Sequence, residues 1–258
     1  MGKSSDLSLS QFFVNARKSV SSCLLELLFP SQCRICARLM RDRDGLCADC
    51  WRQIHFIERP YCEILGIPFA MSHGEGTVSA LAISQAPPFE RLRSVVIHQG
   101  PAKRLSQQLK YNDRSDLVPM LANWMVRASD GMIEDCDVIV SVPLHKRRLM
   151  SRRFNQSAEL ARQVSKLKGK KFLPAALLRK RMTRPQVGLT ALGRQENVKG
   201  AFAVAQGFEK SIVGKKILLI DDVYTTGATV SAVARALKRA GADKVFVLTF
   251  AMAITQPI

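Results

Sequence analysis

The chain has 258 residues, 47% of them hydrophobic and 23% charged, which excludes disorder along its whole length and suffices for a buried core in one or two domains. The formal net charge is +18, and the excess is local: residues 146–184 hold 14 Lys and Arg against a single acidic residue, Glu159. Such a block points either to phosphate-bearing partners or to a solvated basic face, and composition does not choose between them. No uncharged apolar run reaches the roughly 18 residues of a membrane span, so no transmembrane segment is expected and the expected compartment is the cytoplasm.

In residues 1–30, Leu9, Phe12, Phe13, Ala16, Val20, Cys23, Leu24, Leu27 and Leu28 fall on one face of a helix. Lys3, Arg17, Lys18 and Glu26 interrupt any signal-peptide core. The expectation is an amphipathic helix docked on the protein itself, with a membrane surface or a partner as the alternative. Phe29-Pro30 ends it.

Residues 31–66 carry the spacing Cys33-x2-Cys36-x10-Cys47-x2-Cys50. Each Cys-x-x-Cys turn presents two thiolates, and two such turns close a tetrahedral shell around Zn²⁺. A closed shell leaves no open coordination position, so this zinc is expected to be structural. Cys62 is followed by Leu65 where a third pair would need its partner, so one ion is expected rather than two. His55 is read as a surface residue. Residues 67–93, with Gly74, Gly76 and Pro87-Pro88, read as a linker with one strand at 78–83, and no internal repeat is evident.

From about residue 94 the pattern predicts strand 95–98, helices 102–111 and 117–128, strand 138–142 and helix 147–167. Strand 217–220, helix 229–240 and strand 245–250 follow. Strands alternating with helices imply an α/β fold with a parallel sheet covered on both faces.

The most informative stretch is Ile217-Leu218-Leu219-Ile220-Asp221-Asp222-Val223-Tyr224-Thr225-Thr226-Gly227-Ala228-Thr229. Four apolar residues make a buried strand, and two carboxylates follow where α/β sheets bind ligands. The turn Thr225–Thr229 then opens a helix, and its unpaired N–H groups, hydroxyls and dipole form an anion site. Gly227 lets backbone approach a phosphate closely. The pattern suits a sugar phosphate, with phosphate on the loop and ribose hydroxyls on Asp221 and Asp222. The P-loop motif Gly-x4-Gly-Lys-Ser/Thr is absent.

These thirteen residues resemble the signature of type I phosphoribosyltransferases, and the chain as a whole resembles the ComF (ComFC-type) family. The likeness includes Leu27-Leu28-Phe29-Pro30, Leu109-Lys110-Tyr111, Ser141-Val142-Pro143-Leu144, Arg153-Phe154-Asn155-Gln156, and Gln186 with Arg194 and Asn197. Where the family usually has Arg-Gly-Phe-Asn-Gln, this chain has Arg152-Arg153-Phe154-Asn155-Gln156.

The resemblance implies the type I phosphoribosyltransferase fold over 67–258 behind a small zinc-ribbon-like module. It implies binding of phosphoribosyl pyrophosphate with Mg²⁺, and pentosyl transfer to an acceptor that no motif identifies. Thr225, Thr226, Gly227, Ala228 and Thr229 would hold the 5′-phosphate, and Asp221 and Asp222 the ribose. The loop Pro143–Arg148 would meet pyrophosphate, whose developing charge Lys146, Arg147 and Arg152 would stabilise. A ligand-binding scaffold without turnover is the alternative. The resemblance also implies a link to natural transformation, with single-stranded DNA and the competence machinery as partners. Lys166, Lys168, Lys170 and Lys171 are the candidate nucleic-acid residues, without the interleaved aromatics of a stacking platform.

Overall fold

The computed structural model describes residues 31–40, 45–71, 74, 76–111, 114–144, 154–181, 193 and 198–254. The helix expected within 1–30 lies outside them, as do Lys146, Arg147, Arg152, Gln186, Arg194 and Asn197. The chain divides into two compact units, Met1–Arg52 and Gln53–Ile258.

In the first unit, Gln32 and Leu39 pair as an antiparallel bridge around the turn that carries Cys33 and Cys36. A short helix, α1 (Ala48–Arg52), carries Cys50 on its buried face. Asp49 on α1 forms ion pairs with Arg38 and with Arg52.

The second unit opens with a turn of the same kind, Tyr61 bridging Pro68, followed by α2 (Ala80–Ser84). Two expectations are corrected here. The 67–93 stretch is not a linker, and 78–83 is not a strand. Ser79 accepts a hydrogen bond from the Ala82 amide and so caps a helix over a run of alanine and leucine that favours one. The absence of an internal repeat is likewise overturned, because this segment repeats the first unit's backbone although only one of its cysteines survives.

The body of the second unit is a parallel sheet of five strands in the order β1-β7-β6-β2-β3. These are β1 (Arg91–Ile97), β2 (Val138–Ser141), β3 (Lys171–Phe172), β6 (Lys216–Tyr224) and β7 (Lys244–Met252). Val138, Val140, Ile217, Leu219, Val245 and Val247 pack against α7 (Ala228–Arg239) through Val230, Val233 and Leu237. The opposite face meets α4 (Val118–Ala128) and α6 (Gln156–Lys168), with Trp124 stacked on Phe250 at 6.4 Å. β4 (Leu177–Arg179) and β5 (Phe202–Val204), which sequence periodicity did not reveal, form a separate antiparallel pair. α3 (Gly100–Tyr111) and a short α5 (Met132–Asp135) complete the helices used below.

β1 is an edge strand, and an uncovered edge invites pairing with another chain. Here residues 55–64 cover it. The amides of Ile57, Leu92 and Ile97 donate to Val95, Ile64 and His55 at 2.7–2.9 Å, and Phe56 bridges Val96.

Two boundaries shift in ways that bear on the site. β6 runs on to Tyr224, so Asp221 and Asp222 lie within the strand and not after it. Among the described residues α6 begins at Gln156, capped by the Asn155 side chain on the Ser157 amide. An Asn cap fixes a helix start more firmly than the apolar spacing that predicted it.

Candidate functional site

A parallel sheet brings all its carboxyl ends to one edge, where ligands bind in such folds. At that edge lie Asp221 and Asp222 from β6, the loop 225–227, Pro143 after β2, and His98 after β1.

Asp221 and Asp222 are both buried. Asp221 Oδ1 accepts from Ser157 Oγ at 2.8 Å and from the Asp222 amide at 2.9 Å. Burial, and then the charge of Asp222, push the Asp221 carboxyl well above the ordinary carboxylate range. Asp222 is ion-paired instead, its Oδ2 lying 2.9 Å from Lys110 Nζ. The adjacent carboxyls thus have unlike surroundings: Asp221 is raised by burial and bonded to Ser157, and Asp222 lies against the Lys110 ammonium group. Ser157 and Lys110 contact the acidic pair, and sequence reasoning did not assign either of them. Lys110 stood in a quoted motif, but only the packing of α3 shows where its side chain goes.

After β6 the chain turns through Thr225 and Thr226 to Gly227, which has φ +74° and caps α7. A Cβ at Gly227 would lie 2.6 Å from the Tyr224 hydroxyl. Both the conformation and the space therefore demand glycine. The first turn of any helix turns amides toward its N-terminal end, which makes the start of α7 a candidate anion seat. Thr226 Oγ1 is buried and makes no hydrogen bond among the described residues, a polar atom whose desolvation they leave uncompensated. Of the expected phosphate residues, the structure therefore brings Thr225, Thr226, Gly227, Ala228 and Thr229 into one loop and helix start.

Pro143 follows β2, whose register is held by the Val142 amide on Ile220 and by Asn155 Nδ2 on the Val142 carbonyl, both at 3.0 Å. His98 Nε2 lies 3.0 Å from Ser106 Oγ. The Ser106 hydroxyl also lies within bonding distance of the Ala102 and Lys103 carbonyls. If it donates there, it accepts from Nε2–H and leaves Nδ1 as the basic nitrogen. Burial and the Lys110 charge hold His98 below its ordinary pKa, so it is neutral at pH 7.

The four candidate nucleic-acid lysines divide. Lys168 pairs with Glu134 at 2.7 Å, and Lys170 Nζ bonds the Glu134 and Cys136 carbonyls at 2.8 and 2.9 Å. Those two fasten the end of α6 to α5. Lys166 and Lys171 are exposed.

In the first unit the sulfurs of Cys33, Cys36, Cys47 and Cys50 all lie within 4.8 Å of one another, with Cys36 and Cys47 3.6 Å apart. A tetrahedral Zn²⁺ with bonds of about 2.3 Å needs sulfurs about 3.8 Å apart, so the four fit one ion. Burial raises the Cys33 thiol, but the amides of Cys36, Cys47 and Ile35 outweigh it and bring the pKa down to about 6. Burial and the neighbouring thiols push Cys50 up. Among the described residues this is the one group of three or more such side chains able to hold a metal.

A model described as a double zinc ribbon domain matches residues 24–81, and one described as a phosphoribosyl transferase domain matches residues 157–257. Competence protein F of Haemophilus influenzae is 26% identical over 218 residues, covering 82% of this chain and 92% of that protein. DNA utilization protein YhgH of Escherichia coli K12 is 32% identical over 226 residues, covering 85% of this chain and 96% of that protein. The chain belongs to the ComF family. YhgH of Salmonella typhimurium is 34% identical over 219 residues, covering 83% of the ComF chain and 86% of its own. Among solved structures, the glutamine phosphoribosylpyrophosphate amidotransferase of B. subtilis is 20% identical, with a TM-score of 0.38. That match spans 55% of the ComF chain and 30% of the larger enzyme. Within the ComF chain, the ribbon cysteines are placed to bind zinc, and the phosphoribosyl transferase match contains the acidic pair and the 225–229 loop. No helix among the described residues is long and apolar enough to cross a membrane.

Proposed function

We propose that the second unit binds phosphoribosyl pyrophosphate at the carboxyl edge of its sheet and transfers the phosphoribosyl group, in a protein that serves DNA uptake or utilization in the cytoplasm. One observation carries the reading. A buried pair of carboxyls, Asp221 and Asp222, stands directly before a helix-opening loop with an unpartnered buried hydroxyl, Thr226. Acceptors for hydroxyls followed along the chain by an anion seat are what a ribose 5-phosphate requires.

In the reaction the bond from the anomeric carbon to pyrophosphate breaks, its electron pair leaves with pyrophosphate, and an acceptor atom bonds the same carbon. Asp222, ion-paired with Lys110, accepts from a ribose hydroxyl and favours the positive charge that develops on the ring. Asp221, held by Ser157, orients the other hydroxyl. Lys146, Arg147 and Arg152 are proposed to meet the leaving group. A resident Mg²⁺ does not fit the described residues, since Asp222 is already paired and Asp221 leans to the neutral acid. Mg²⁺ would arrive as part of the pyrophosphate substrate.

Phosphoribosyl pyrophosphate with Mg²⁺, at a hundredfold excess over its Kd, should add about 2.7 kcal/mol to stability. That corresponds to about 5–10 °C in Tm for a unit of this size. The double variant Asp221→Asn, Asp222→Asn should lose the shift. No shift in the wild-type protein at millimolar ligand would overturn the proposal. Pyrophosphate release against candidate acceptors separates an enzyme from a scaffold, for which binding without release is expected. Asp221→Asn alone should also carry a pH signature. The raised carboxyl costs stability once pH passes the unfolded value and fully so above the folded one, about 7. The variant should therefore gain Tm relative to wild type at pH 8 and not at pH 4.

For the DNA role, single-strand binding through Lys166 and Lys171 should weaken by about 0.7 log units per decade of salt for each phosphate neutralised. A flat salt response would remove it.

A further inference from the structure

The segment 60–84 of the second unit repeats the backbone of the first unit's ribbon. Around Cys33, amides donate from Cys33 to Arg38 at 2.8 Å, from Ala37 to Cys33 at 2.9 Å and from Met40 to Ser31 at 2.8 Å. Around Cys62 the same three bonds run from Cys62 to Ile67, from Gly66 to Cys62 and from Phe69 to Pro60, at 2.9, 2.7 and 2.9 Å. The residue after each turn is left-handed, Ala37 with φ +58° and Gly66 with φ +62°. The second halves match too. Arg34 donates to Gly45 and Glu63 to Thr77, at 3.3 and 3.0 Å, and the helix then starts at Ala48 in one and at Ala80 in the other.

This register places Cys62, Leu65, Ser79 and Ala82 where the first ribbon has Cys33, Cys36, Cys47 and Cys50. The sequence conceals the equivalence, because three of the four ligands have been replaced and the loop between the halves is longer. The replacements fill the centre. Cys62, Leu65 and Ala82 are 0%, 4% and 1% exposed and belong to the hydrophobic core that includes Phe89 and Leu92. The Cys62 sulfur accepts from the Leu65 and Ser79 amides at 3.4 and 3.2 Å, as a thiolate does around a metal, while the Ser79 hydroxyl caps α2.

We infer that the chain's second zinc ribbon is a metal-free one, its ion replaced by an apolar plug and its ligand positions still in register. A family model with two ribbons would suggest two ions, but a thioether-free set of one thiol, one hydroxyl and two hydrocarbon side chains offers no tetrahedral shell. The second ribbon keeps the ribbon backbone by burial on the sheet instead.

The test is the zinc content of the purified full-length protein. One zinc per chain is expected, and Cys33→Ser with Cys36→Ser should reduce it to none. Two zincs in the wild-type protein, or one remaining after that double substitution, would overturn the inference. The triple variant Leu65→Cys, Ser79→Cys, Ala82→Cys should take up a second ion and, loaded with Co²⁺, give twice the thiolate charge-transfer band per chain. A folded triple variant with unchanged metal content would show that the positions are not equivalent. Should the triple variant fail to fold, the wild-type count and Cys62→Ala decide alone: the latter must leave one zinc, and a lower count overturns the inference.

Discussion

The two ribbons share a hydrogen-bond pattern and differ in what holds it. Among its described residues, the buried ones of the first are Cys33, Cys47, Cys50 and Ile35. A stretch of that size draws on metal binding for its cohesion. The second lies on the edge of a five-stranded sheet, where Leu65, Ala82 and the Cys62 thiol join a large core. It is also clamped to β1 by Arg93, which bonds Glu63 and Asp130 at 2.8 Å and stacks on Tyr61 at 4.5 Å. A ribbon backbone can thus be held without four thiolates where a neighbouring core supplies the cohesion.

The largest test of this contrast is chelation. Removing zinc forfeits a binding free energy on the order of 10 kcal/mol. Amides of residues 31–52 should lose hydrogen-exchange protection, while those of 60–84 keep theirs. Equal loss in both segments would end the distinction.

Next is Arg93→Ala, which empties a buried site and leaves the half-buried Glu63 and Asp130 with Arg59 as a remaining partner. It should cost the second unit about 1.5–3 kcal/mol in denaturant unfolding. Hydrogen bonding from Arg59 lowers the Glu63 carboxyl below its ordinary value. For Asp130, burial opposes but the hydrogen bond and charge of Arg93 prevail, and it too is lowered. Depressed carboxyls contribute stability above their unfolded values and lose it as pH falls through the folded ones. Wild-type stability should therefore drop in that acid window, and the variant's drop should be smaller.

The smallest effects come from one pair of matched positions. Gly66→Ala should destabilise by about 2 kcal/mol or more, since φ is positive and the new Cβ would lie 2.6 Å from the Leu92 carbonyl oxygen. Ala37→Gly, at the equivalent turn, should instead tighten zinc binding up to about fivefold, because glycine relieves a left-handed strain of about 1 kcal/mol. Together the two outcomes would show that both turns hold a left-handed position best filled by glycine.

The site was legible in proportion to how local its chemistry is. The strand, acidic pair and loop of 217–229 are contiguous, so their order alone predicts a carboxylate edge followed by an anion seat. Lys110, Ser157 and His98 come from α3, α6 and the end of β1, far apart in sequence, and no spacing rule relates them to Asp221. The second ribbon was hidden for a different reason. Its signature is carried by carbonyls and amides, which every residue has, and the side chains that would reveal it are those that changed.

By itself, the sequence determined the four-cysteine shell, the alternation of strands and helices, and the acidic pair with its helix-opening loop, because each rests on bonds or periodicities within a short stretch. Tertiary structure decided that Asp221 is strained toward neutrality while Asp222 is compensated, and that the basic block is in part structural through Lys168 and Lys170. It also decided that a segment with one cysteine is a ribbon. Those outcomes depend on burial and on partners brought from distant parts of the chain, which set local dielectric and packing and leave no periodic trace.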